Sequence, residues 1–187
     1  IDEGDDPVAI LNDGMISAMS VVGEKFKNGE IFVPEMLVAA RAMKKGVDVL
    51  KPHLAGGSAG VAGKMIIGTV AGDLHDIGKN LVVLMLKNYG YDVIDLGKDV
   101  PAETIIEAAK EHNADIIGLS ALMTTTMMEM KKVVNLVKEN NMDTLVIIGG
   151  AVITQGFADE IGADGYSEDA QNAVEVVGKL LAERGKA

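Results

Sequence analysis

Hydrophobic positions along this chain change their period once, near residue 55. Before that point they recur at three- and four-residue intervals, first as Val8, Leu11, Met15, Ala18, Val22 and Phe26, then as Leu37, Ala40, Met43, Val47 and Leu50. That spacing lines up one face of an α-helix and predicts two amphipathic helices. Asp6-Pro7 supplies an N-cap followed by proline at the first helical position, and Pro34-Glu35 repeats the proline and adds a carboxylate near the positive end of the helix dipole. Two such helices cannot bury both of their faces alone, so residues 1–55 are expected to form a small helical cap that packs on something else. Residues 56–63, GGSAGVAG, have no period and are read as a flexible linker with a root-mean-square span of about 15 Å.

From Lys64 onward the pattern alternates. The apolar runs KMIIGTVA (64–71), YDVIDL (91–96), ADIIGLS (114–120) and TLVIIGG (144–150) are separated by helical stretches, of which Met127, Met130, Val134 and Val137 mark one and Val174, Val177 and Leu181 the last. Continuous apolar runs are the signature of strands buried on both faces, and strand–helix alternation implies right-handed crossovers and a parallel sheet. ADGY at 163–166 supplies a fifth, weaker strand. The expected fold of residues 64–187 is therefore α/β, a flavodoxin-like (Rossmann-like) five-stranded parallel sheet, whose ligands bind beyond the C-terminal strand ends at the switch point.

Composition narrows the function. The 187 residues include 28 acidic and 17 basic side chains, a formal net charge of −11, and no run of Lys or Arg; such a surface repels phosphate backbones and anionic lipid, which argues against nucleic-acid or membrane partners. The longest apolar stretches are far short of the roughly 20 residues that span a bilayer, and the acidic N-terminus is unlike a signal peptide, so a cytoplasmic location is expected. With no cysteine, disulfides, Fe–S clusters, thiol nucleophiles and thiolate zinc sites are excluded. The chain opens on Ile1 rather than Met, and a preceding N-terminal piece is expected.

Three strand ends carry the candidate chemistry. The first runs into Gly72-Asp73-Leu74-His75-Asp76-Ile77-Gly78, the third into Ser120-Ala121-Leu122-Met123-Thr124-Thr125-Thr126, and the fourth into Gly149-Gly150. A histidine between two carboxylates at a strand–helix turn is the usual setting of a metal-ligating imidazole whose second nitrogen donates to a carboxylate, and Asp73 stands two residues away. The same residues also suit plain helix capping by Asp73 or Asp76, with His75 solvated. The hydroxyls at 120, 124, 125 and 126 either bind a polar ligand group or cap a helix, and the double glycine either clears room for a bulky planar ligand or makes a tight turn. His53 and His112 read as structural, and most of the eleven methionines as core.

Taken together, Asp73-x-His75-x-x-Gly78, Ser120-x-Leu122 and Gly149-Gly150, in this order on successive strand ends, resemble the cobalamin-binding signature of corrinoid proteins. The resemblance covers nearly the whole chain: residues 1–55, with Gly29-Glu30-Ile31-Phe32-Val33-Pro34-Glu35, look like the later part of the helical cap found in methionine synthase and in the small corrinoid proteins of methyltransferase systems. The Ala-Leu-Met-Thr-Thr-Thr-Met wording is most similar to the corrinoid proteins serving methylamine-type methyltransferases. That resemblance implies a cobalamin whose own base is displaced into a channel and replaced at cobalt by His75, with Asp73 orienting the imidazole and Thr126 continuing the hydrogen-bonded chain. It also implies that the Gly72–Gly78 loop, Met123 and the Ser120, Leu122, Thr124, Gly149 and Gly150 positions hold the cofactor, and that Phe32 and Leu37 shield its upper face. The cap of the family has four helices, where about two are evident here.

The implied activity is methyl carriage. Cobalt cycles between Co(I) and methylcobalamin, taking a methyl group presented by a substrate-specific methyltransferase and giving it to a second methyltransferase that serves tetrahydrofolate or coenzyme M, with a reductive activator as a further partner. His75 leaves and returns in each cycle, and the cap swings aside about the 56–63 linker. The competing readings are a cobalamin-binding mutase subunit, a cobalamin sensor and a simple metal site on His75, Asp73 and Asp76. A pyridine-dinucleotide site lacks the required G-x-G-x-x-G spacing, and a receiver domain has an aspartate where this chain has Ser120.

Overall fold

A computed structural model of the chain describes residues 1, 4–50, 53 and 63–185. The linker read at 56–63 lies outside the described residues apart from Gly63. The chain divides into two compact units, residues 1–61 with 88–90 and residues 62–87 with 91–187.

In the N-terminal unit α1 (Pro7–Ala9) runs through a π-helical segment (Ile10–Ile16) into α2 (Ser17–Lys27), and α3 (Val33–Leu50) follows. Proline opens the first helix, and at the second the Glu35 carboxylate accepts a 3.0 Å hydrogen bond from the Phe32 amide, satisfying a donor that the helix start leaves free. The sequence pattern places Ala40, Met43 and Leu50 on the buried stripe of α3 correctly and misplaces one position in each helical segment. Met19 is buried where Ala18 was expected, because the wider π-helical turn holds more residues and rotates the face that follows it. On α3 the buried residues are Met36, Ala40, Met43 and Leu50, while Leu37 is exposed; two adjacent apolar residues fit a 3.6-residue period almost equally, and packing chooses between them.

In the C-terminal unit five parallel strands, β1 (Lys64–Thr69), β2 (Asp92–Asp95), β3 (Ile116–Ser120), β4 (Leu145–Gly149) and β5 (Gly165–Ser167), lie in the order β2-β1-β3-β4-β5. This is the expected flavodoxin-like α/β fold. The connecting helices are α4 (Ile77–Asn88), α5 (Ala102–Glu111), α6 (Met128–Glu139) and α7 (Gln155–Ile161), with α8 (Ala170–Glu183) at the end. Right-handed crossovers fix their sides: the chain steps from β1 to β2 in one direction and from β2 onward in the other, so α4 falls on the opposite face from α5, α6 and α7. Alternate strand residues Ile66, Ile117, Leu119, Val146 and Ile148 pack under Ile105, Ile106, Met130, Val134, Phe157 and Ile161 of those three helices. The other set, including Met65, Ile67, Ile116 and Ile147, is buried too, which is why these strands read as unbroken apolar runs. No described helix is long and apolar enough to cross a membrane.

The reversal of direction makes β1 and β3 neighbours whose following helices go to opposite faces of the sheet, the switch point at which folds of this order bind ligands. The turn after β4 closes against it: Ala121 donates its amide to the Gly149 carbonyl at 3.3 Å. Gly150 has φ +136°, and a Cβ there would overlap the Ala121 carbonyl. At both glycines the chain's own backbone comes close, Ser167 at Gly149 and Ala121 at Gly150. Gly150→Ala is expected to lower unfolding free energy by about 3 kcal/mol, whereas Gly97→Ala, at φ +86° with nothing within 4 Å of the new Cβ, should lower it by only about 1 to 2 kcal/mol. Urea unfolding of the two variants checks this, and equal losses would contradict it.

Candidate functional site

Asp73 occupies the loop that leaves β1, and its side chain is fully buried. A carboxylate has about four lone-pair sites on two oxygens and must have them used when water is excluded. Here Oδ1 accepts from the His75 amide at 3.1 Å and lies 2.7 Å from His75 Nδ1. Oδ2 accepts from the Leu122 amide at 2.8 Å, the Met123 amide at 3.3 Å and the Thr126 hydroxyl at 2.8 Å. The loops after β1 and β3, some 50 residues apart in the chain, therefore meet on one side chain. Burial alone would raise the Asp73 pKa, but the hydrogen bonds from the Leu122 and His75 amides, the His75 ring and Thr126 outweigh it and hold the carboxyl well below the usual carboxylate range.

An ionised Asp73 fixes the tautomer of His75. A carboxylate only accepts, so Nδ1 carries the proton and donates, leaving the lone pair on Nε2. The imidazole is half exposed, at 51%. Leu74 and Ile77, near it in sequence, and Leu122, whose amide shares the Asp73 carboxylate with it, are exposed apolar side chains. Exposed apolar groups beside a nitrogen lone pair are unusual on a free surface and suit a large, partly apolar ligand bearing an electrophilic centre.

Several residues hold this loop that the sequence did not single out. The buried Thr69 hydroxyl donates to the His75 carbonyl at 3.1 Å. Asp99, in the left-handed region at φ 55°, accepts from the Gly72 amide at 2.7 Å and donates its own amide to the Asp73 carbonyl at 3.0 Å. Lys79 and Asp95 form an ion pair at 2.6 Å. None of these belongs to a local motif; a positive φ at an aspartate is a signal of structure, not of sequence.

The remaining expected residues spread more widely. Gly72 packs beside Thr126, whose methyl would lie 3.4 Å from a Cβ at that glycine. Ser120 ends β3 and accepts from the Val70 amide through its carbonyl. Thr124, Thr125, Gly78 and Ile77 are exposed, Asp76 and Met123 half-buried. Phe32 is exposed on the N-terminal unit. The alternative of a simple metal site does not fit: both Asp73 oxygens are committed to donors, and among the described residues no three His, Asp or Glu side chains group to hold an ion. Among the described residues the site offers one imidazole, so the metal it suits is one whose other positions are filled by its own macrocycle.

Comparison with known proteins agrees. Residues 63–175 match one family model described as a B12 binding domain, and residues 1–51 match a second of the same description. A corrinoid protein of Desulfitobacterium hafniense is 46% identical over 186 residues, 97% of this chain and 86% of the relative. Dimethylamine corrinoid protein 1 of Methanosarcina acetivorans is 47% identical over 180 residues, covering 95% and 84%. Among solved structures, the methanol:cobalamin methyltransferase complex of Methanosarcina barkeri aligns with a TM-score of 0.84 at 34% identity, over 97% of this chain and 70% of that one. The chain belongs to the B12-binding corrinoid proteins, and its cofactor is a cobalamin.

Thr126→Val keeps the volume and removes one donor from a buried carboxylate. It is expected to lower the stability of the cofactor-free protein by about 2 kcal/mol at neutral pH. Because the folded Asp73 pKa is depressed, its contribution is complete above the unfolded value of about 3.9 and is lost as pH falls through the folded one. The gap between wild type and variant should accordingly close in strong acid. Urea titrations across that range test this, and a gap independent of pH would contradict it.

Proposed function

We propose that this chain is a methyl carrier in which His75 would ligate the cobalt of a bound cobalamin through Nε2. The observation that supports this most is the fixed imidazole: Nδ1 held by a buried, ionised Asp73, with the Nε2 lone pair left over on a half-exposed ring. When bound, the corrinoid supplies a cobalt that accepts and releases the methyl group, and the protein supplies binding, orientation and tuning.

The chain's own residues do the rest. Asp73 raises the donor strength of Nε2 by taking negative charge toward Nδ1–H, the usual effect of a carboxylate behind a ligating histidine. Asp73 would also keep the ring in this orientation whether or not a metal is bound. The Thr126 hydroxyl, donating to the other oxygen of Asp73, keeps that charge in place. Gly72, Leu74, Asp76, Ile77 and Gly78 form the loop that presents the ligand, while Ser120, Leu122, Met123, Thr124, Gly149 and Gly150 line the course of the cofactor's tail. Phe32 and Leu37, both exposed on the N-terminal unit, are the apolar side chains we assign to shielding the corrin.

Corrinoid proteins work with methyltransferases, and we assign two to this one. A substrate-specific enzyme of the methylamine type donates the methyl group, in line with the dimethylamine and trimethylamine corrinoid proteins among its relatives. A second methyltransferase takes the group on to tetrahydrofolate or coenzyme M, and a reductive activator restores inactive cofactor.

The test is an ultraviolet–visible spectrum after incubation with hydroxocobalamin and removal of free cofactor. Wild type should retain about one corrinoid per chain, and His75→Ala should either release it or shift its visible bands. A spectrum unchanged by the substitution would overturn the assignment of His75.

A further inference from the structure

The third residue of α4, Lys79, is a charged side chain with 1% of its surface exposed. A cation in the first turn of a helix faces the positive end of the dipole, and burying one without partners is costly, so its place needs a reason. Its partners account for all its protons. Nζ donates to Asp95 Oδ1 at 2.6 Å, to Asp95 Oδ2 at 2.7 Å and to Asn80 Oδ1 at 2.7 Å, and an ammonium has three N–H groups. Nothing is left over for a ligand, which separates Lys79 from any residue that binds the cofactor directly.

The position of the pair gives the reason. Asp95 ends β2, and its Oδ1 also accepts from the Gly97 amide at 2.9 Å. Gly97 in turn accepts from the Thr69 amide at 3.0 Å, and two residues on Asp99 holds both the Gly72 amide and the Asp73 carbonyl. Thr69 holds the His75 carbonyl. The segment carrying His75 is thereby tied at both ends to one loop after β2: at its start through Asp99, at its end through Lys79 and Asp95. Between the ties lie Leu74, Asp76, Ile77 and Gly78, exposed or half-buried, with little packing of their own to order them.

We infer that Lys79 and Asp95 are positioning residues, an ion-paired clamp that closes the His75 loop and holds the imidazole where it can reach a metal. The clamp acts through the backbone of 74–78 and touches neither the ring nor its Asp73 partner. Its effect on the cofactor rests on the proposed ligation by His75, whereas its effect on the loop does not.

Lys79→Met, which keeps length and apolar bulk, and Asp95→Asn, which keeps shape, break the pair from either side. Lys132→Met, which removes an exposed pair with Glu129, is the control. Two readouts are needed on ¹⁵N-labelled full-length protein: amide hydrogen exchange without cofactor, and, after loading with hydroxocobalamin and one-electron reduction, the ¹⁵N doublet splitting that a protein imidazole imposes on the Co(II) resonance. The clamp predicts faster exchange in 72–79 with the β1, β3 and β4 amides unchanged, and a fall of about tenfold in the ratio of histidine-ligated to unligated cobalt with corrinoid still retained. The control should match wild type in both. Unchanged exchange and splitting in the two clamp variants would overturn the inference, as would loosening spread evenly over the sheet, which marks a general loss of stability. If wild type itself shows no ¹⁵N splitting, the ligation by His75 falls, and the clamp stands or falls on the exchange of 72–79.

Discussion

A carboxylate shut away from water must have its lone pairs filled, and the way Asp73 meets that demand organises the functional edge of this protein. Its five donors come from two loops: the His75 amide and ring after β1, and the Leu122 amide, Met123 amide and Thr126 hydroxyl after β3. The same interactions keep it ionised, and ionisation dictates that the imidazole beside it donates from Nδ1. One buried group therefore sets the distance between two loops, the orientation of a ring and the identity of its free nitrogen.

The topology makes this meeting possible. Loops after β1 and β3 are neighbours only because the strand order reverses between them, and a parallel sheet buried on both faces gives their bases little freedom. The turn at Gly149-Gly150 then closes against Ala121, using a backbone conformation that a side chain would obstruct. Around this rigid base the His75 loop itself is mostly exposed, held by hydrogen bonds from Thr69, Asp99 and the Lys79–Asp95 pair. A rigid frame with a tethered, exposed loop suits the role proposed for His75 as a ligand to the cofactor's metal.

Much of this was readable in the sequence, and for definite reasons. The three central strands announce themselves as apolar runs because both faces are covered, and the D-x-H pair is legible because its partners are two residues apart. What depends on pairing between distant segments was not. Asp99 reaches Gly72 across 27 residues and Lys79 reaches Asp95 across 16, and neither carries a local pattern. The role of Thr126 emerged from family resemblance, not from spacing. In the N-terminal unit periodicity found the helices but chose Ala18 and Leu37 for the buried face where Met19 and Met36 occupy it, since a π-helical turn and adjacent apolar residues both blur a 3.6-residue repeat.

Every role assigned to His75 depends on the tautomer of its ring. Nitrogen-15 NMR of the cofactor-free protein reports which nitrogen of the neutral His75 ring carries the proton. The structure predicts the proton on Nδ1, with a pyridine-like shift at Nε2. A proton found on Nε2 would mean that Asp73 does not fix the ring, and would contradict the account at its base.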